Sequence, residues 1–350
     1  MDKYNLTELY NFYINIKKTK IYEWCSIGKH IDCVEFLKYK ENYEYLLNTF
    51  GQPQKLEKIK NKGKYKYQNT GIPDMGDGDF MLAAGLNFSH DNSMYQDDNV
   101  WGINSIFVKS VKDIFENNCK YVTEEFISIP KMLLMPGHKY KDNIINLNFY
   151  RQGIQFDYMV TNIYSKYDCN IILEIGGGLG NMAHFQKKYK KNSKYIILDI
   201  PHTLLMQYTF LTKLGYNVLL LKESQLDNIN SIIKDVDFDV LLILPHHISK
   251  INSDVIDLTI NFDSLVEMNS ETVKHYLNNI TRISKLFYAV NKRYGRYNTY
   301  QNTVNNLINN KTFSVLDYKE QVYGTHDYHF YIALSKDYWI SFFKNNTLSF

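Results

Sequence analysis

The stretch IILEIGGGLGNMA, residues 171–183, joins an apolar run to a glycine-rich turn. The run IILEI has the length and the branched side chains of a buried strand. Gly176, Gly178 and Gly180 then occupy every second position, and NMA begins a helical pattern. Glycines at a strand-to-helix turn allow positive φ angles and let the backbone pass close to a ligand. We therefore predict an α/β fold with a ligand site at this turn.

Beyond Tyr167, apolar segments of strand length alternate with helical segments, which is typical of a parallel sheet with crossover helices. Pro201 begins one of these helices and Gly215 follows its end. We expect residues 166–350 to form a Rossmann-like domain with a mostly parallel sheet and a closing antiparallel strand. The predicted strands cover 170–175, 195–199, 216–221, 239–244, 257–261, 286–291, 313–318 and 329–334.

Residues 1–165 show mixed apolar and charged residues at helical spacing, interrupted by a stretch at 51–79 rich in Gly, Pro and Asp. A second helical pattern covers 101–164 and breaks at Pro136–Gly137. We interpret this part as a mainly helical N-terminal domain that caps the site and contacts the substrate. A lid of this kind would exclude water from the reacting groups.

The composition is that of a folded protein, with 45% hydrophobic and 22% charged residues in 350. A net charge of +3 is too small to indicate nucleic-acid binding by itself, and the lysine run at 58–66 is more typical of a solvated loop. The chain shows no signal peptide or membrane span, so we expect a cytoplasmic protein. The cysteine spacing implies no structural metal, and a homo-oligomer is compatible with the sequence.

A carboxylate, Asp199, ends the second predicted strand. A carboxylate at this point accepts hydrogen bonds from ribose hydroxyls, which is common to NAD sites and S-adenosylmethionine sites. The dinucleotide fingerprint needs Gly or Ala where Asn181 stands, whereas Glu174 and the three spaced glycines resemble motif I of class I methyltransferases. We therefore favour S-adenosylmethionine over NAD. The alternative is a turn without a ligand, with Asp199 capping the next helix. The expected cofactor contacts are Glu174, Gly176, Gly177, Gly178, Gly180, Asp199 and Ile200.

Methyl transfer to a hydroxyl is an in-line displacement that needs alignment and a base, because a hydroxyl is a poor acid. His246 and His247 follow one predicted strand, and Glu267 follows the next. A histidine titrates near neutral pH, so we favour His246 or His247 over Glu267 as the base. The alternatives are a structural or solvent-facing role for each histidine and a surface position for Glu267 near a helix N-terminus.

Further candidates for acceptor binding lie beside these segments. Asp263 and Ser264 precede Glu267, and Arg293 and Arg296 follow the strand predicted at 286–291. An arginine can hold a carboxylate or phosphate by two parallel hydrogen bonds. The alternative for both arginines is ordinary surface charge.

Three segments in this order resemble the sugar O-methyltransferase family of bacterial surface-polysaccharide clusters. They are EIGGGLGNMA at 174–183, YIILDIPHT at 195–203 and INFDSLVEMN at 260–269. The family's pattern Asn-x-x-Ser-x-x-Glu-Met is matched by Asn261, Ser264, Glu267 and Met268, while Leu265 and Val266 depart from its usual aromatic residue and Gln. The resemblance implies an S-adenosylmethionine-dependent O-methyltransferase acting on a sugar or nucleotide-sugar hydroxyl in surface glycan biosynthesis.

Two other functions stay open at this point. The chain could methylate another small molecule or RNA, in which case the lysine run at 58–66 would belong to a continuous basic face. It could also be a catalytically silent Rossmann module that binds a nucleotide or a partner. S-adenosylhomocysteine carried through purification would distinguish a cofactor-binding protein from a silent one.

Overall fold

The computed structural model describes Asn11 and residues 106–130, 138–145, 147–268, 270–292, 313–320 and 338–348. The predictions for residues 1–50, 51–79, 298–310 and 329–334, and for Arg293 and Arg296, lie outside these ranges. The chain divides into two compact units, one comprising Met1–Asp157 and Pro201–Tyr216, the other Tyr158–Ile200 and Asn217–Phe350. The domain boundary expected at 165–166 stays a prediction.

The elements are numbered here in chain order. The α-helices are α1 Ile106–Asn118, α2 Glu124–Ile127, α3 Leu147–Met159, α4 Asn181–Tyr189, α5 Pro201–Lys213, α6 Ile229–Asp235 and α7 Ser270–Ile283. The strands are β1 Ile129–Pro130, β2 His138–Tyr140, β3 Asn143–Ile145, β4 Ile171–Ile175, β5 Lys194–Leu198, β6 Val218–Leu220, β7 Val240–Ile243, β8 Ile256–Phe262, β9 Ser284–Lys292, β10 Phe313–Glu320 and β11 Tyr338–Asn345. Short 3-10 turns cover Glu223–Asn228, Pro245–Lys250 and Leu265–Glu267, and a π-helical turn covers Val160–Tyr164.

The described part of the first unit contains helices and a small antiparallel sheet of order β1-β3-β2. This sheet differs from the helical pattern predicted for 101–164. The reason is local, because Pro130 has no N–H group to donate to a helical hydrogen bond. Three strands of two or three residues pair with one another here in place of a helix. Asp157 stabilises the segment before α2 by accepting the N–H groups of Lys120, Tyr121 and Val122 at 3.0, 2.6 and 2.8 Å.

The second unit contains an eight-stranded sheet of order β10-β11-β9-β8-β4-β5-β7-β6 among the described residues. The strands from β9 to β6 in this order are parallel, whereas β11 is antiparallel to both β9 and β10. The predicted Rossmann-like α/β class, a mostly parallel sheet with a closing antiparallel strand, is confirmed. The parallel strands are nearly continuous apolar runs because their side chains are buried on both faces.

Two features of the strand order were not predicted. Among the described residues the partner of β10 is β11, at Tyr338–Asn345, while the strand predicted at 329–334 lies outside them. Strand β7 lies between β5 and β6, so two strands that follow each other in the chain are not neighbours. Strands β5, β6 and β7 lie on one side of β4, whereas β9, β10 and β11 lie on the far side of β8. The position between the carboxyl ends of β4 and β8 is therefore the topological switch point, where open α/β sheets bind ligands.

Candidate functional site

The glycine-rich turn after β4 has the backbone conformation that its glycines predict. The φ angles are 70° at Gly176, 56° at Gly178 and 95° at Gly180, where helix α4 begins. Residues with a side chain rarely adopt these angles. The Gly176 N–H donates to the Leu198 carbonyl at 2.9 Å, so the first residue of the turn is still hydrogen-bonded to β5.

Gly177 and Gly178 differ in how closely other atoms surround them. A Cβ on Gly177 would lie 2.7 Å from Ile197 Cγ2 and 2.9 Å from Glu174 Oε2, so Gly177 packs closely against both side chains. A Cβ on Gly178, in contrast, would meet no heavy atom of the described residues within 4 Å. Unlike Gly177, Gly178 is therefore not packed against the described residues at its Cβ position.

Glu174, near the end of β4, is a buried carboxyl with 1% exposure. The Tyr195 hydroxyl donates to its Oε2 at 2.9 Å. Burial raises the pKa of Glu174 to about 8, with a further rise from the charge of Asp199, while the Tyr195 hydrogen bond opposes the rise. Burial therefore favours the neutral form of this carboxyl.

Asp199 directly follows β5 and is half-buried. Its Oδ1 accepts the N–H of Ile200 at 2.8 Å, and its own N–H donates to the Ile243 carbonyl at 3.2 Å. Both contacts fix the residue at the carboxyl edge of the sheet, next to the strand that carries Glu174 and the glycine-rich turn.

The carboxyl end of β8 reaches the glycine-rich turn through Asn261 and Ser264. Asn261 Nδ2 donates to the Ile175 carbonyl at 2.8 Å, and Ser264 Oγ donates to the same carbonyl at 3.0 Å. Asn291 on β9 donates to Asn261 Oδ1 at 2.9 Å. Ser264, predicted to bind substrate, thus contacts the backbone beneath the turn.

Asp263 and Glu267 lie in the loop that follows β8. Asp263 is half-buried, has a φ of 66°, and its N–H donates to the Val290 carbonyl at 2.9 Å. Glu267 ends the 3-10 turn Leu265–Glu267 that comes next. We call residues 263–267 the acceptor-side loop, after the acceptor contacts that the sequence predicts there.

His246 and His247 lie after β7 and form a cluster with Glu223, which follows β6. His247 is fully buried, and its Nδ1 accepts the Leu244 N–H at 3.2 Å while its Nε2 lies 2.8 Å from Glu223 Oε1. His246 Nε2 lies 3.1 Å from the same oxygen. The hydrogen bonds of His246 and His247 lower the pKa of Glu223 to about 2, and burial lowers the pKa of His247.

The cluster of Glu223, His246 and His247 resembles a metal site, because its three ligand atoms lie within 4.8 Å of one another. A histidine that binds a metal usually donates the hydrogen of its other ring nitrogen. In His247 that nitrogen, Nδ1, accepts the Leu244 N–H instead, so the ring hydrogen is on Nε2 and is directed at Glu223. These contacts favour a hydrogen-bonded cluster over a metal centre.

The sheet order brings only some of the predicted site residues together. The glycine-rich turn lies between Asp199 on one side and the acceptor-side loop on the other. His246 and His247 follow β7, which is two strands from β4, or about 10 Å at the usual strand spacing. Sequence reasoning missed Tyr195, Glu223 and Asn291, whose roles depend on strand neighbours that the sequence does not reveal.

No helix in the described ranges is long and apolar enough to cross a membrane. No family model matches the chain, and no curated protein matches it in sequence.

Several solved structures are similar to part of the chain. An rRNA methylase from Escherichia coli is 14% identical, with a TM-score of 0.33, covering 57% of this chain and 68% of that one. TrmK of M. capricolum, solved with S-adenosylhomocysteine, is 14% identical, with a TM-score of 0.32 and coverages of 51% and 62%. The mitomycin 7-O-methyltransferase MmcR is 13% identical, with a TM-score of 0.35 and coverages of 57% and 57%. One fold carries many functions, so similarities of this size assign no substrate to this chain.

Proposed function

We propose that this chain binds S-adenosylmethionine and transfers its methyl group to a hydroxyl of a sugar or nucleotide-sugar. The observation that carries the proposal is the glycine-rich turn at the switch point of the sheet, with Glu174 before it and Asp199 directly after the neighbouring strand. A backbone that turns through three positive φ angles can approach a ligand closely, and a carboxylate after the neighbouring strand can bind ribose hydroxyls.

The proposed cofactor position follows the carboxyl edge of the sheet. The methionine end lies at the turn formed by Gly176, Gly177, Gly178 and Gly180, and the ribose lies at Asp199 and Ile200. Glu174 supports the turn from below, because its carboxyl is buried under Gly177. The acceptor then lies on the opposite side of the turn, over β8, where Asp263 and Glu267 are its candidate contacts.

For the base we now favour Glu267 over the histidines. His247 uses both ring nitrogens, one for the Leu244 N–H and one for Glu223, so it has no position from which to take a proton. His246 shares the Glu223 contact and follows a strand on the ribose side of the turn. Glu267 belongs to the acceptor-side loop, which adjoins the turn through Ser264.

The sugar acceptor rests on the resemblance of three sequence segments to the sugar O-methyltransferase family. Asn261, Ser264 and Glu267 match the acceptor-side part of that pattern. Other small molecules and RNA are the competing acceptors, and a silent nucleotide-binding module is the competing non-enzyme.

Calorimetric titration with S-adenosylmethionine, S-adenosylhomocysteine and NAD tests the cofactor. We expect binding of the first two with a stoichiometry of one and none of NAD. Binding of NAD alone would contradict the proposal. Screening of nucleotide-sugars, glycans and RNA for transfer of a labelled methyl group then tests the acceptor, and exclusive labelling of RNA would replace the sugar assignment.

A further inference from the structure

We infer that Asn261 and Ser264 are positioning residues that couple the acceptor-side loop to the glycine-rich turn. The inference rests on the proposed function, because it assigns the turn to the cofactor and the loop to the acceptor. It concerns neither a contact with cofactor nor one with substrate. Both residues act through the backbone of Ile175, the last residue of β4.

The Ile175 carbonyl is the last acceptor before the chain turns away from the sheet. It accepts hydrogen bonds from Asn261 Nδ2 at 2.8 Å and from Ser264 Oγ at 3.0 Å. Asn261 Nδ2 also contacts Ser264 Oγ. Two side chains, one on β8 and one just after it, therefore hold the carbonyl that precedes the first residue of the turn.

Asn261 is itself held in one orientation. Its Oδ1 accepts from Asn291 Nδ2 at 2.9 Å and from the Leu265 N–H at 3.4 Å. Asn261 and Asn291 are both fully buried. A buried amide is costly unless its hydrogen bonds are made, and here the amide of Asn261 uses both its oxygen and its nitrogen. The network thus joins β9, β8 and β4 at one edge of the sheet.

The steric contact between Gly176 and Ser264 reinforces this network. A Cβ on Gly176 would lie 2.3 Å from Ser264 Oγ and 2.4 Å from Ser264 Cβ. The first glycine of the turn thus lies directly against the acceptor-side loop. Any shift of Ser264 moves the boundary against which Gly176 packs.

The position of the network distinguishes it from ordinary sheet packing. The same pair of strands, β8 and β9, carries a second buried polar contact between the hydroxyls of Thr259 and Ser284, away from the turn. That contact joins the strands without touching the glycine-rich turn. Since methyl transfer requires donor and acceptor in line, a rigid connection between their two loops reduces the misalignment that would slow the reaction.

The test compares Ser264→Ala with Ser284→Ala, which removes a buried hydroxyl from the same sheet. Hydrogen exchange at the amides of residues 176–180 and calorimetric affinity for S-adenosylhomocysteine are measured for both variants and the unmodified chain. We expect Ser264→Ala to speed exchange in the turn and to weaken S-adenosylhomocysteine binding about three- to tenfold, the effect of one lost hydrogen bond. Ser284→Ala should change neither, whatever its effect on overall stability.

A second comparison uses the steric contact. Gly176→Ala should abolish S-adenosylhomocysteine binding, and the double variant Gly176→Ala/Ser264→Gly should recover part of it, because the overlapping atoms are removed. If Ser264→Ala leaves turn exchange and affinity at the level of Ser284→Ala, the inference is wrong, whatever the double variant binds. If the unmodified chain does not bind S-adenosylhomocysteine, the proposed function fails, and the exchange data still decide the coupling.

Discussion

The Tyr195 hydroxyl on β5 donates to Oε2 of Glu174 on β4 at 2.9 Å. Tyr195 pairs in register with Ile172, two residues before Glu174, so both side chains lie on the same face of the sheet as diagonal neighbours. The contact places a protonatable carboxyl beneath the glycine-rich turn, where Gly177 packs against it.

Glu174→Gln should change how stability depends on pH. The pKa of Glu174 is raised to about 8 by burial, so the folded chain holds a proton that the unfolded chain releases near pH 4.3. The stability of the unmodified chain should therefore fall as the pH rises from about 4.5 to 8. Glutamine has no such titration and still accepts the Tyr195 hydrogen bond.

Urea unfolding of both chains between pH 4 and 9 measures this difference. We expect Glu174→Gln to become more stable relative to the unmodified chain as the pH rises. The difference between their free energies of unfolding should change by about a few kcal/mol across this range. Parallel curves across this range would show that the Glu174 carboxyl is ionised in the fold.

Gly178→Asn should remove cofactor binding without unfolding the chain. Asparagine tolerates positive φ better than other side chains, and a Cβ on Gly178 would meet no described heavy atom within 4 Å. This side of Gly178 is the proposed approach of the cofactor. Gly215→Asn is the matched control, since Gly215 has a φ of 91° and no described heavy atom within 4 Å of its Cβ position.

Calorimetry with S-adenosylhomocysteine and thermal unfolding separate the two effects. Both variants should unfold near the temperature of the unmodified chain, and only Gly178→Asn should lose binding. Normal affinity in Gly178→Asn would mean that the cofactor does not approach the turn at this residue.

Glu223→Gln should make the free energy of unfolding fall less steeply at acid pH. The hydrogen bonds of His246 and His247 lower the pKa of Glu223 to about 2. Ionised Glu223 therefore stabilises the fold above the pKa of an unfolded carboxyl, near 4.3, and this contribution disappears as the pH falls towards 2. The difference in unfolding free energy between the unmodified chain and the variant should therefore shrink as the pH falls from about 5 towards 2.

Asp227→Asn is the control for Glu223→Gln, because Asp227 lies in the same 3-10 turn with a 93% exposed side chain. It should leave the curve unchanged. A Glu223→Gln difference that stays constant down to pH 2 would argue against the hydrogen bonds of the two histidines.

The base assignment predicts a kinetic difference once an acceptor is identified. Glu267→Gln should lower kcat by about 10²–10⁴-fold with S-adenosylhomocysteine affinity near that of the unmodified chain. His246→Ala should keep most of the turnover, because its strand lies on the far side of β5 from the turn. Normal turnover in Glu267→Gln together with its loss in His246→Ala would return the role to the histidine.

The sequence alone determined the elements whose causes are local. The apolar runs predicted β4, β5, β7, β8 and β9 within a few residues of their observed ends. The spacing of Gly176, Gly178 and Gly180 predicted a turn with positive φ, because only glycine adopts such angles without strain. Pro201 and Gly215 similarly marked the limits of α5.

The tertiary structure decided which of these elements are neighbours. Strand β7 lies between β5 and β6, and β10 pairs with β11, because backbone hydrogen bonds between distant segments depend on how the whole sheet packs. That order turned His247 towards Glu223 and Ser264 towards Ile175. Local periodicity reports which side chains are buried but not which partners they meet, so the glycine-rich turn was predictable and its connection to the acceptor-side loop was not.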